Sequence, residues 1–209
     1  MPQVDKDHYF EGYDIPGRWG SYYHQIESIL STDAEEILEI GIGNKTVYDY
    51  ISRRRQVRGM DFAEDLDPDK VGDIRDMPFE DDSFDLVCAF EVLEHIPKKD
   101  LDKALKEMKR VSREHVLVSV PQHARYIALK GRMPLIGKFS FRLRLPKGKE
   151  NSQFDGQHYW ELNSDKMSFK EFEEKLEKYF KIEKQSVTET NTNHRFYLLK
   201  SSFVPKNRS

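Results

Sequence analysis

A chain of 209 residues and 24.7 kDa, 37 % hydrophobic and 34 % charged, provides one sizeable domain, or a domain with a small cap, and no more. No apolar run approaches the roughly 18–20 residues that span a bilayer. A single cysteine, Cys88, excludes an internal disulfide and a thiolate metal cluster, so a soluble, cytoplasmic protein is expected.

The net charge of −3 conceals an asymmetry: residues 1–100 hold 11 Lys/Arg and 24 Asp/Glu (−13), and residues 101–209 hold 23 and 13 (+10). Halves of opposite sign suit differently charged ligands. The acidic N-terminal stretch lacks the apolar core of a signal peptide. From Pro16 to Leu30, Trp19, Tyr22, Tyr23, Ile26, Ile29 and Leu30 recur at helical spacing behind a proline suited to a first turn. Residues 37–40 read as a buried strand, 45–53 as a helix with Asn44 as its cap, and 57–60 as a second strand. Only about nine residues separate Asp61 from the next strand signal at 70–72, too few for a crossover helix. Residues 84–90 are the most apolar strand and are expected at the sheet centre. Asp100 opens a helix striped by Leu101, Leu105, Met108 and Val111, and His115 to Val120 follows as a strand. Ser168 and Glu171 suggest a capping box before a last helix, and 181–188 with 195–201 suggest an antiparallel edge pair. The alternation predicts an α/β fold: a doubly wound, mostly parallel, seven-stranded sheet forming a single domain over 1–209. Residues 121–149 break it with eight Lys/Arg and no Asp/Glu. We read about 122–160 as an insertion forming an acceptor-side cap.

Ligands of open parallel sheets bind beyond the carboxyl ends of the strands, and four such ends carry chemistry here. Glu39-Ile40-Gly41-Ile42-Gly43-Asn44 offers a tight glycine turn that lets the backbone approach a ligand. Asp61, 20 residues after Gly41, is placed to accept the hydroxyls of a ribose. Gly72-Asp73-Ile74 and Phe90-Glu91 complete the set. A nicotinamide dinucleotide would want a third glycine where Thr46 stands, and Glu39 would repel its pyrophosphate. Two like charges at about 4 Å repel by roughly 4 kcal/mol at an effective dielectric of 20. A ligand bearing ammonium and sulfonium centres meets no such penalty.

On ILEIGIGN (37–44), GMD (59–61), GDIRDMPFEDDSFDLV (72–87) and FEVLEHI (90–96), the sequence resembles the class I, Rossmann-like, S-adenosylmethionine-dependent methyltransferases. The resemblance is close over about 35–121 and elsewhere extends to element order. It implies S-adenosylmethionine as cofactor, with Glu39, Gly41 and Gly43 around its methionine end, Asp61 on the ribose and Asp73 on the adenine amine. Phe62 and Ile74 would flank the adenine, and Glu91 would begin the loop between cofactor and acceptor. Lys45 departs from the family, which often has a further glycine there.

Candidate acceptor-side residues are His95, His123 and His158 as proton acceptors, since imidazole titrates near neutrality. Tyr126 and Tyr159 are candidate contacts, and Arg142 and Arg144 could pair with phosphate or carboxylate groups. No metal ligand set is read from the sequence. The expected activity is methyl transfer to an unidentified acceptor, small or anionic, glycan- or lipid-linked acceptors included. Two rivals remain: an NAD(P)-dependent oxidoreductase, and a non-catalytic module binding nucleic acid or an anionic surface. One basic tract lends nucleic acid modest support.

Overall fold

Helix α1 (Pro16–Leu30) opens the described part of the computed structural model, which covers residues 15–134, 137–145, 156–188 and 191–201. Proline in its first turn forfeits an N–H that the helix would not have used. The buried face runs through Tyr22, Gln25 and Ile29, whereas Trp19 and Tyr23 are 52 % and 68 % exposed. Ile26 and Leu30 pack partly buried beside that face, so the apolar stripe is narrower than its sequence spacing suggests only at Trp19 and Tyr23.

Strand β1 (Glu36–Ile40) leads through a glycine turn into a short helix α2 (Thr46–Ile51). This helix is shorter at both ends than the sequence predicts. Lys45 occupies the cap position in a left-handed conformation, φ 61°, while Asn44 Oδ1 accepts from the Thr46 N–H at 3.2 Å. β2 (Gln56–Asp61) follows, and a single 3-10 turn at Glu64–Leu66 replaces the missing crossover helix before β3 (Lys70–Val71). β4 (Phe84–Phe90), α3 (Leu101–Val111) and β5 (Ser112–Pro121) continue the alternation. Asp100 stands at the α3 cap but makes no cap hydrogen bond; its carboxylate turns to Arg75 and Lys103 instead.

Within the basic tract, to which the sequence assigns no elements, β6 (Arg125–Met133) runs antiparallel to β7 (Gly137–Leu145) as a hairpin. Its strands pair with each other in a separate two-stranded sheet. Ile127, Leu129, Phe141 and Leu143, alternate residues brought opposite one another by the register, are all about half exposed. Past it, Trp160 is fully buried and donates its indole N–H to the Ile96 carbonyl at 3.0 Å. Helix α4 (Phe169–Glu177) is capped by Ser168, whose hydroxyl accepts from the Glu171 N–H at 3.1 Å. Glu171 does not complete a capping box, because Lys98 holds it at 2.6 Å. β8 (Lys181–Val187) and β9 (His194–Lys200) close the chain's described part.

The seven strands order as β3-β2-β1-β4-β5-β9-β8, parallel from β3 to β5 and antiparallel for β9 and β8. Period-two alternation splits the side chains between two faces. Ile37, Leu86, Cys88 and Phe196 pack with α1 and α2 residues Tyr22, Ile29, Val47 and Ile51. Leu38, Val87, Ala89 and Val118 pack with the Leu105 and Met108 of α3 and the Phe172 of α4. Fully burying each of the valine, leucine, isoleucine, methionine and phenylalanine side chains among them contributes roughly 1.5–3 kcal/mol. This double covering fixes the strand ends on which the site is built.

Candidate active site

Beyond the carboxyl ends of β1, β2 and β4 lies a cavity of about 330 Å3, walled on one side by the glycine turn and on the other by the loop after β4. The turn requires its glycines. Gly41 has φ +78°, and a Cβ there would sit 2.5 Å from Val92 Cγ2. Gly43 is also left-handed. Gly41 N–H donates to the Met60 carbonyl at 2.8 Å, tying the turn to β2. Lys45 is a third left-handed residue, where the sequence offers lysine in place of glycine; its ammonium binds Asp67 at 3.0 Å.

Glu39 lines the cavity and is 5 % exposed. Burial, with Asp49 and Asp61 nearby, pushes its carboxyl up to about 8. Asp61 also lines the cavity. Burial raises its carboxyl, and the N–H groups of Ala63, Gly43, Ile42 and Phe62 oppose that rise. Phe62 is 42 % exposed at the rim and Ile74 is fully buried. Asp73 does not line the cavity; Arg75 Nε donates to its carboxylate at 2.9 Å and holds it below the usual range.

The opposite wall is polar. Glu91, at φ 56°, accepts from Ser119 Oγ at 2.7 Å and lies 3.3 Å from His194 Nε2. His95 Nδ1 is 3.1 Å from the Gln157 carbonyl, and its ring meets that of His158 edge-on at 5.0 Å. Glu161 lies 2.8 Å from His158 Nδ1 and 2.7 Å from His123 Nε2. Glu94 is fully buried, and neither carboxylate oxygen has a hydrogen-bond partner among the described residues. Burial, and then Glu91 and Glu161, raise it well above the usual carboxylate range.

Of the sequence candidates, Glu39, Gly41, Gly43, Asp61, Phe62 and Ile74 line the cavity on the turn side, and Glu91, His95 and His158 on the other. His123 stands behind Glu161. Tyr126 accepts from Gln122 Nε2 at 3.2 Å, and Tyr159 packs on the core; neither lines the cavity. The Arg142 and Arg144 side chains, and residues 135, 136 and 146–155 of the expected insertion, lie outside the described residues. Glu94, His194 and the α1 residue Arg18 also line the cavity and are not among the sequence candidates, nor is Glu161, which stands behind His158. Glu94 sits inside the quoted FEVLEHI segment, but its burial shows only in three dimensions. His194 reaches the cavity only because β9 inserts beside β5.

Residues 38–119 match the family model described as a methyltransferase domain. No curated protein matches the chain. Among solved structures, the N-methyltransferase NodS from Bradyrhizobium japonicum WM9, in complex with S-adenosylhomocysteine, is similar with TM-score 0.62 and 11 % identity, over 97 % of this chain and 95 % of that one. A Burkholderia thailandensis 1,6-didemethyltoxoflavin-N1-methyltransferase, with 1,6-didemethyltoxoflavin and S-adenosylhomocysteine bound, gives 0.61 and 12 % over 94 % and 85 %. The magnesium protoporphyrin IX methyltransferase of Synechocystis PCC 6803, with S-adenosylmethionine bound, gives 0.57 and 13 % over 88 % and 81 %. At these identities the likeness is one of fold.

Proposed function

We propose that this chain, a class I S-adenosylmethionine-dependent methyltransferase, holds its cofactor against the glycine turn and receives a small or anionic methyl acceptor at the wall formed by Glu91, His95 and His158. The observation that carries this reading is the single cavity lined by both groups of residues. The turn side fits the cofactor chemically. Glu39 has acidic neighbours in Asp49 and Asp61, an excess of negative charge that a cationic amino-acid end would offset. Asp61 supplies carboxylate oxygens for a diol, and Phe62 presents an exposed ring for a purine to stack on.

When bound, the cofactor supplies an electrophilic methyl carbon on a sulfonium that leaves as a neutral thioether. What remains for the protein is alignment, worth up to roughly 7–11 kcal/mol of barrier. An amine acceptor needs only to arrive neutral. A hydroxyl acceptor must lose a proton, and two imidazoles on the cavity wall are oriented to take it, His158 through Glu161 and His95 through the Gln157 carbonyl, whereas His194 is held at both ring nitrogens, by Glu91 and by Ser21. The basic tract that carries Arg142 and Arg144 supports an anionic acceptor by charge.

Calorimetry with S-adenosylhomocysteine and with NAD tests the reading. S-adenosylhomocysteine is expected to bind, and Asp61→Ala to weaken it at least tenfold. Tighter binding of NAD would overturn the assignment, and unchanged affinity in Asp61→Ala would remove the ribose role.

A further inference from the structure

We propose that Glu94, His95 and His158 form a site for a divalent transition-metal ion of the zinc class, at the acceptor side of the cavity. One ligand atom from each residue lies within 4.8 Å of the others. A tetrahedral ion with ligands at about 2.1 Å would hold them about 3.4 Å apart, so shifts of about an ångström close the shell. A 3-10 turn at Leu93–His95 presents the first two, and the chain returning before Trp160 presents the third.

The Glu94 carboxylate is the independent sign that something is to be bound. It is 0 % exposed, lines the cavity, and both oxygens lack a partner among the described residues. Burying a carboxylate without a compensating group is strongly unfavourable. Glu91 and Glu161 add negative charge around it, and its own backbone N–H and Arg18 oppose them. A divalent cation would give both oxygens a partner and supply the opposite charge.

The two imidazoles are also set for ligation. A carbonyl oxygen only accepts, so the contact of His95 Nδ1 with the Gln157 carbonyl puts the proton on Nδ1 and the lone pair on Nε2. The Glu161 carboxylate orients His158 in the same way through Nδ1. Metal-bound histidines characteristically donate their other ring N–H to a carbonyl or carboxylate. Glu161 is itself braced by His123 at 2.7 Å. Two imidazoles and one carboxylate suit zinc, manganese, iron or cobalt, while magnesium and calcium favour all-oxygen shells. Three protein ligands leave open positions toward the cavity for an acceptor oxygen or nitrogen.

Ion binding is independent of the methyl-transfer reading, the ion's role toward an acceptor rests on that reading, and the test is separate. The full chain, stripped with EDTA, is titrated with Zn2+ by calorimetry and with Co2+ by visible absorption, and S-adenosylhomocysteine binding is followed in parallel. One ion per chain is expected, with affinity at least tenfold weaker in Glu94→Gln and in His158→Ala. Glu161→Gln, which touches no ion, should also weaken binding tenfold or more by releasing His158. His115→Ala, remote from the cavity, should bind like the wild type. Melting curves confirm that each variant is folded. Absence of stoichiometric Zn2+ binding, equal affinity in folded Glu94→Gln and His158→Ala, or equal competition by Mg2+ would overturn the site, while retained S-adenosylhomocysteine binding would leave the methyltransferase reading standing.

Discussion

Burial and the carboxylates of Asp49 and Asp61 lift Glu39 to about 8, so at pH 7 the ligand-free protein holds it protonated. Tyr48, raised to about 12, and Cys88, raised well above 9.0, share its surroundings and stay neutral there. The folded carboxyl binds a proton between its ordinary 4.5 and about 8, where the unfolded chain does not. Its contribution to stability is therefore full below about 4.5 and is lost as pH rises through about 8. Melting temperatures of the ligand-free wild type should fall across that window relative to those of Glu39→Gln. A cationic ligand end favours the ionised form, so cofactor binding at pH 7 should release close to one proton. Calorimetry in buffers of different ionisation enthalpy reads that number, and no release would contradict a Glu39–ammonium contact. Glu39 and Asp61 were legible in the sequence because strand ends fix their place. Glu94 was not, because an unpartnered buried carboxylate looks like any surface glutamate in one dimension.

At the scale of elements, the first turn shows how backbone conformation limits sequence. Gly41→Ala adds a Cβ 2.5 Å from Val92 Cγ2 and forces an alanine to φ +78°. The left-handed region costs an L-residue about 1–2 kcal/mol. Stability by urea denaturation should fall by more than that, and adding Val92→Ala should restore the steric part while leaving the conformational part. Full recovery would mean that the φ requirement is not real. Lys45 at φ 61° bears the same conformational cost, which its exposed bond to Asp67, worth about 0–1 kcal/mol, partly offsets. Lys45→Gly should accordingly be no less stable than the wild type, whereas Lys45→Val should lose more than about 1 kcal/mol, since a β-branched residue is an outlier there. Strand positions and the missing crossover helix were readable because apolar runs and chain length constrain them strongly. Caps were less so: Asp100 and Glu171 have the right residue type, but Arg75 and Lys98 outcompete the backbone for them. The β6–β7 hairpin escaped because its tract was read for charge, although Ile127, Leu129, Phe139, Phe141 and Leu143 alternate at the period of a strand.

Across the whole molecule, the charge division follows the architecture. The acidic first half contributes β1, β2 and β4, whose ends carry Glu39, Asp61 and Glu91, and the basic second half contributes the hairpin. The hairpin's strands pair with each other and not with the seven-stranded sheet. Its base is anchored instead by the chain around it: His123 N–H donates to the Leu162 carbonyl at 2.9 Å, and Asn163 Nδ2 donates to the His123 carbonyl at 2.9 Å. Those bonds hold residues on either side of the insertion close together, so a short connection can bridge them. Replacing residues 125–155 with a brief Gly/Ser linker should therefore leave the sheet, the buried Trp160 and the glycine turn intact. The expected outcome is a melting temperature within a few degrees of the wild type and S-adenosylhomocysteine affinity within about threefold. A tenfold loss of affinity in a variant that still melts cooperatively would show that the hairpin helps close the cofactor cavity. Loss of cooperative melting would show that the sheet depends on it, and either result would refute its assignment to the acceptor side alone.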